Sequence, residues 1–217
     1  MFFNLTPELI LINLIAVGLG MTIHEFAHNY VGHLAGDPVP ASEGRLTLNP
    51  LVHINWVGWL MFAIIGFGIL GSAPISARRM DNPRWGFLAA VAAGPISNLL
   101  LAIVFAIPVR IMYSQMEIIA GLQGQGNIIT MLFVQVVYWN VLLAVFNLIP
   151  LYPIDGWHIV YSLLPPDLAY RWGSPQWIQY SQYAFFGAIF LSIAGILPIF
   201  SWLIGTPTTQ LLRLMLF

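Results

Sequence analysis

Long apolar runs, separated by short segments rich in glycine, proline and polar residues, dominate the pattern of this chain. A helix of about 20 residues crosses the hydrocarbon core of a bilayer. Runs of that order occupy about residues 9–34, 86–113, 128–149 and 178–198, and a short helix is predicted from Asp155-Gly156 to Leu164. The pattern predicts an all-α polytopic membrane protein with one domain over residues 1–217. Its core is expected at about 9–164 and its C-terminal helices at 176–217.

The segment between the first two runs has a different character. Residues 36–50 are rich in turn formers, and residues 44–48 alternate between polar and apolar side chains as a β-strand does. Residues 56–72 are apolar but contain small residues at five positions, which are Gly58, Gly66, Gly68, Gly71 and Ser72. Such a stretch fits either a full span or a re-entrant segment packed against protein. The sequence leaves both interpretations open.

Composition narrows the class of protein further. The chain is 59% hydrophobic and 7% charged, whereas soluble domains carry roughly 25% charged residues. The net charge of −1 gives no electrostatic basis for binding nucleic acid. Because cysteine is absent, a metal ion would have to be held by His, Asp, Glu or water. The first run lacks a basic leader and a small-residue cleavage site, so we expect it to be retained as a membrane helix.

One short motif inside the first apolar run carries ionisable groups. Residues 24–28 read His-Glu-Phe-Ala-His. On a helix, His24 and His28 lie four residues apart on one face and can share a metal ion, with Glu25 placed to accept a proton from water. Two core histidines with a snorkelling glutamate are the alternative interpretation. In an apolar segment that alternative is costly, because lipid has no water to solvate the three groups.

A catalytic zinc ion usually has three protein ligands, so one ligand must come from elsewhere in the chain. Asp155 is the best placed acid, because it follows an apolar helix that is interrupted by Pro150 and Pro153. Broken backbone at membrane depth is tolerated where it lines a cavity or is buried in protein. Alternatively, Asp155 caps the helix that begins at Gly156. The residues themselves do not decide between a ligand and a cap.

Four motifs in order give the chain a resemblance to a known family, the site-2 proteases, which are intramembrane zinc metalloproteases. The motifs are His24-Glu25-Phe26-Ala27-His28, Asn49-Pro50-Leu51-Val52-His53, Gly94-Pro95-Ile96-Ser97-Asn98, and the run from Asn147 to Asp155-Gly156. Together they cover about residues 15–160. The chain departs from the family pattern at two places. Residues 53–56 read His-Ile-Asn-Trp and lack the carboxylate that many members have there. After Asp155-Gly156 the chain has Trp157-His158 where many members have Gly-Arg.

The resemblance implies a set of site residues. His24, His28 and Asp155 would hold one zinc ion per chain, Glu25 would activate the water, and Asn147 would bind the substrate backbone or stabilise the oxyanion. It also implies a three-helix core, a small β-hairpin or re-entrant segment within residues 36–72 that guides substrate, and an additional C-terminal transmembrane helix.

Four further side chains have expected roles outside the predicted ligand set. His53 is expected to be structural or to face the substrate. Asn98 is expected to serve helix packing or to contact the substrate. His33 is expected at a helix end, and His158 is expected either near the ligands or at the surface.

The predicted function is hydrolysis of peptide bonds in or near transmembrane segments of substrate proteins, in regulated proteolysis or in clearance of membrane fragments. A catalytically silent membrane scaffold of the same fold is the alternative. The expected partners are a transmembrane protein substrate and the lipid bilayer. Residues 76–85 carry three arginines, so the positive-inside bias places them, and with them the active site, toward the cytoplasm. That topology requires either that residues 52–72 are re-entrant or that the chain crosses the membrane once more.

Overall fold

The structure, a computed structural model, describes residues 6–65, 68 and 70–217. The helices are α1 (Pro7–Leu34), α2 (Val39–Ser42), α3 (Pro50–His53), α4 (Trp56–Ile65), α5 (Trp85–Met112), α6 (Gln115–Leu122), α7 (Ile128–Asn147), α8 (Asp155–Leu163), α9 (Pro166–Trp172), α10 (Pro175–Ile193) and α11 (Thr206–Leu216). A 3-10 turn at Ala77–Arg79 and a π-helical turn at Ser201–Gly205 complete the regular elements of the described part.

The three longest helices, α1, α5 and α7, pack against one another. Each begins and ends within about two residues of an apolar run. α1 begins at Thr6, whose hydroxyl accepts a hydrogen bond from the Leu9 amide, and Asn127 caps α7 in the same way. All three are long and apolar enough to cross a membrane. The length and composition of these helices confirm the prediction of a helical membrane protein.

Small and β-branched side chains fill the interface between α5 and α7. Ala102 and Val109 of α5, and Val137 and Val141 of α7, are fully buried there. Leu212 of α11 closes the same cluster. The opposite side of α5 exposes large apolar residues, which are Leu100, Ile103, Val104, Ile107 and Ile111. An exposed apolar stripe of this kind suits a helix that faces lipid.

The strand predicted at residues 44–48 is wrong. Those residues form turns and bends, and no strand occurs within the described residues. Gly44 adopts a positive φ of 66°, and the Asn49 side chain accepts from the Leu51 amide to begin α3 at Pro50. These turn and cap preferences outweigh the alternation of side chains, which has no neighbouring strand to pair with.

The segment from 54 to 71 returns to its starting point. The Asn55 amide donates to the Leu70 carbonyl at 2.9 Å, the Trp59 indole donates to the same carbonyl at 3.0 Å, and Ile54 forms an isolated antiparallel bridge with Gly71. Between these ends α4 has 10 residues, which is about half the length of a span. The geometry therefore favours the re-entrant interpretation. Of the small residues noted above, Gly66 lies outside the described residues.

The C-terminal part differs from its prediction. Where a last span was expected at 178–198, α10 occupies Pro175–Ile193 and is not among the helices apolar enough to cross a membrane. Its first half carries several amide and phenol groups, which are Gln176, Gln179, Tyr180, Gln182 and Tyr183.

An ion pair between buried Asp37 and exposed Arg79 connects the end of α1 to the chain that follows α4. Asp37 is fully buried, and the Arg79 guanidinium donates to both of its carboxylate oxygens, at 2.7 and 2.9 Å. The backbone amides of Val39 and Ser76 donate to the same carboxylate. Burial alone would raise the pKa of Asp37, but the hydrogen bonds led by Arg79 outweigh it and lower this pKa below its usual range.

We predict that Asp37→Asn lowers the unfolding temperature in detergent by several degrees at neutral pH, because an amide places N–H groups against donors. The folded-state pKa of Asp37 lies below its unfolded value, so its stabilisation is present above the unfolded pKa of about 3.9 and is lost as pH falls through the folded value. The difference between variant and wild type should therefore shrink in acid. Glu43→Gln, which removes an exposed pair with Arg45 at 3.6 Å, is the matched control. Equal unfolding temperatures for all three proteins at pH 7 would contradict the assignment.

Candidate metal centre

The three predicted ligands converge on one point. The Nε2 atoms of His24 and His28 lie 2.9 Å apart, and Asp155 Oδ2 lies 3.2 Å from each of them. Both histidines are buried, and Asp155 is mostly buried. Within the described residues this is the one group of three His, Asp or Glu side chains close enough to share a metal ion. His33 does not belong to it and instead lies beside the Asp37 carbonyl at 3.3 Å.

Asp155 reaches the histidines because the chain folds back sharply after α7. Asp155 is the first residue of α8, and Gly156 lies so close to the backbone of Leu148 and Ile149 that a Cβ would lie 2.4–2.5 Å from it. The N-cap of α8 is Ile154, with no side-chain cap, so the interpretation of Asp155 as a helix cap is wrong.

The other end of α8 is also held. Arg84, just before α5, donates to the carbonyls of Ser162, Leu163 and Leu164 at 2.8–3.2 Å. These are orphan carbonyls at a helix C-terminus, where a cation is favourable. α8 is therefore fixed at both ends, and with it the position of Asp155.

Hydrogen bonds on the far side of each imidazole determine the tautomers. His28 Nδ1 lies 2.8 Å from the Ala90 carbonyl, which can only accept. His24 Nδ1 lies 2.7 Å from Asn98 Oδ1, and the Asn98 amide nitrogen is committed to the Gly20 carbonyl. Each Nδ1 is thus the donor, so the neutral rings direct Nε2 lone pairs at each other and at Asp155.

This donor set fits a zinc ion. Three acceptor atoms meet with no hydrogen between them, and Asp155 Oδ2 is buried without a hydrogen-bond partner within the described residues. Edges of 2.9, 3.2 and 3.2 Å compare with about 3.3 Å between ligands of a tetrahedral zinc at ordinary bond lengths.

Two glycines make room around the ligands. A Cβ on Gly94 would lie 2.3 Å from His28 Nε2 and 2.7 Å from a ring carbon of His24. A Cβ on Gly71 would lie 2.6 Å from Glu25 Oε1. Helix α5 and the returning segment can therefore approach the motif this closely only because both positions lack a side chain.

The ligands and Glu25 face a cavity of about 390 Å³. Asn147, at the end of α7, lies on its wall and donates to the Leu143 carbonyl at 2.9 Å. His158 also lines it, packed edge-on against Phe87 and Tyr152. Burial lowers the pKa of His158 more than Asp155 raises it, so this imidazole is neutral at physiological pH.

Asn98 and His53 do not line this cavity. Asn98 is fully buried behind His24, and its amide nitrogen also donates to Asn140 Oδ1 at 2.8 Å. His53 is buried beside α1, with its Nε2 2.8 Å from the Thr47 carbonyl. Asn140 belongs to no motif in the sequence. An amide in the middle of an apolar span, such as Gln135 or Asn140 in α7, is the signal that could have found it.

A buried His-His-Asp group beside a glutamate, in a chain with long apolar helices, resembles the ligands and base of zinc metalloproteases. Over 166 residues the chain is 34% identical to "Putative zinc metalloprotease YwhC" of Bacillus subtilis (strain 168), which covers 76% of this chain and 73% of that protein. The chain belongs to that protein's family, and the predicted membership in the site-2 protease family is confirmed. No protein-family profile matches the sequence, and no solved structure matches it.

We predict that Gly94→Ala reduces the zinc content of the purified protein severely, because the added methyl group would occupy the space beside both imidazoles. Gly187→Ala is the matched control, since it is also a helical glycine and a Cβ there meets nothing within 4 Å. Zinc per chain, measured by atomic spectrometry on folded protein, checks the prediction. Equal zinc content in the two variants would contradict the placement of α5 against the ligands.

Proposed function

We propose that this chain is a zinc endopeptidase that hydrolyses peptide bonds in or near transmembrane segments of other proteins. The observation that carries the proposal is the convergence of His24, His28 and Asp155 beside Glu25 on one cavity. The depth of the centre along α1 supports the proposal that cleavage takes place within the membrane. His24 and His28 lie ten and six residues before the end of α1 at Leu34, which is about 15 and 9 Å along the helix axis.

The side chains around the centre have separable tasks in this proposal. A zinc ion, when bound, lowers the pKa of water and polarises a carbonyl group. Glu25 takes the proton of the attacking water and gives it to the departing amine. Asn98 and the Ala90 carbonyl orient the two imidazoles through their Nδ1 protons. Asn147 donates to the substrate backbone or to the oxygen on which negative charge develops.

Residues 72–76, which follow the returning segment, are the best candidate to hold an unwound substrate. They form no helix or strand, the backbone of Ser76 is extended, and Ser72, Ala73 and Ile75 lie on the wall of the cavity. An extended edge can bind a peptide strand by main-chain hydrogen bonds. Residues 44–48 form turns and bends and do not offer such an edge.

We also propose that the centre lies toward the cytoplasmic face. The Asp37–Arg79 pair holds the end of α1 beside the basic residues 76–85, and Arg84 holds the end of α8 there. The ends of the elements that carry the ligands therefore share a side with the arginines, which favour the cytoplasm.

We predict that a cysteine at Arg78 reacts with a membrane-impermeant maleimide only from the cytoplasmic side, and a cysteine at Gln125 only from the outer side. Both positions are exposed, and they lie at opposite ends of α5 and its connection to α7. The natural chain contains no cysteine, so it serves as the unlabelled control. Labelling of both positions from one side would contradict the proposed orientation.

We predict that Glu25→Gln lowers the rate at which a transmembrane substrate is cleaved in liposomes by about 10²–10⁴-fold. Zinc content should be retained. Glu8→Gln, an exposed carboxylate at the start of the same helix, is the control and should cleave normally. Zinc per chain and product formation are measured on the same preparations. Full zinc occupancy with no cleavage that depends on Glu25 would contradict the proposal and favour the silent scaffold.

A further inference from the structure

A second cavity, of about 210 Å³, lies beside the catalytic one. Met21, Glu25 and Leu70 line both cavities, so the side chain of the proposed base borders each of them. The remaining wall comes from the first half of α1 and from the residues around α3 and α4, which are Leu14, Gly18, Thr22, Pro50, His53, Ile54 and Trp59. The wall is mainly apolar and contains few polar side chains.

Two of those polar side chains carry buried atoms without a partner. Glu25 Oε2 and His53 Nδ1 have no hydrogen bond within the described residues, although both side chains are almost fully buried. The tautomer of His53 follows from its other nitrogen. Nε2 lies 2.8 Å from the Thr47 carbonyl, which can only accept, so the neutral ring has its proton on Nε2 and a free lone pair on Nδ1.

We infer that the second cavity holds ordered water that donates to both Glu25 Oε2 and His53 Nδ1. Glu25 and His53 both line this cavity and each carries a buried acceptor without a partner, and a molecule with two O–H donors can satisfy both. The cavity is large enough for several waters, since one water occupies about 30 Å³ in the liquid. The Thr22 hydroxyl, which donates to the Gly18 carbonyl at 2.7 Å, retains lone pairs that can accept a further hydrogen bond from this water.

His53 is then a positioning residue for the base, acting through this water. The inference rests on the proposed function of Glu25 as the base in hydrolysis. The water orients the carboxylate from the second cavity, and further water in that cavity can replace the water that each hydrolysis consumes. A purely structural His53 would instead serve only to tie the loop at Thr47 to α3 through its Nε2 proton.

Two conservative variants separate these roles. His53→Gln can keep a donor for the Thr47 carbonyl at the position of Nε2, but it has no acceptor at the position of Nδ1. His53→Asn keeps an acceptor near Nδ1 and loses the bond to Thr47. Cleavage of a transmembrane substrate in liposomes, zinc content and unfolding temperature are measured for both variants and for the wild type.

We expect His53→Gln to lower kcat about tenfold or more, with KM, zinc content and unfolding temperature close to those of the wild type. His53→Asn should lose more stability and less kcat than His53→Gln. A ¹⁵N spectrum of histidine-labelled protein should also show His53 as the neutral tautomer with its proton on Nε2. A proton on Nδ1, or a His53→Gln variant with wild-type kcat, would overturn the inference.

Failure of the proposed function gives a different result. If the wild type shows no cleavage that depends on Glu25, the proposed function falls and this inference falls with it. If the wild type cleaves and both His53 variants lose kcat only in proportion to their loss of stability, the proposed function stands. In that case His53 is structural and the second cavity has no part in the reaction.

Discussion

Three acceptor atoms that face one another in a water-poor interior are the constraint on which the rest of this structure depends. The Nε2 lone pairs of His24 and His28 and the Asp155 carboxylate lie within 2.9–3.2 Å of each other, and neutral imidazoles in these tautomers place no proton between them. Such an arrangement is unfavourable unless a cation occupies it, because buried acceptors without donors lose their solvation without compensation. A metal ion bound by these three residues would therefore stabilise this part of the fold as well as supply the proposed chemistry.

The three long helices are arranged to maintain that constraint. Asn98 connects all three, because it hydrogen-bonds His24 and the Gly20 carbonyl on α1 and Asn140 on α7. The missing side chain at Gly94 lets α5 approach the imidazoles closely enough for this network to form. Polar groups at membrane depth are costly unless satisfied, so the amide network and the ligands depend on one another. The Asp37–Arg79 pair extends the same support to the segment that covers Glu25.

The long helices have strong local signals in the sequence, because apolar runs of span length located α1, α5 and α7. The spacing of His24 and His28 predicted that these two side chains lie together, and the structure brings them together with Asp155. Their role as metal ligands stays a prediction. Asp155 required the family resemblance, since the residues alone allowed a helix cap equally well. The strand at 44–48 failed because turn and cap preferences at Gly44 and Asn49 outweigh side-chain alternation. The partners of Asp37 and His53 lie in distant or irregular segments, and no periodic pattern encodes them.

Zinc X-ray absorption spectroscopy tests most directly whether His24, His28 and Asp155 form a metal centre. The purified wild-type protein is compared with Asp155→Ala. The wild type should hold about one zinc per chain, with a first shell of nitrogen and oxygen at about 2.0–2.1 Å and the outer-shell scattering of two imidazoles. Asp155→Ala should lose most of its zinc. A wild-type protein without zinc, a spectrum lacking two imidazoles, or an unchanged centre in Asp155→Ala would contradict the claim that these three residues form a metal centre.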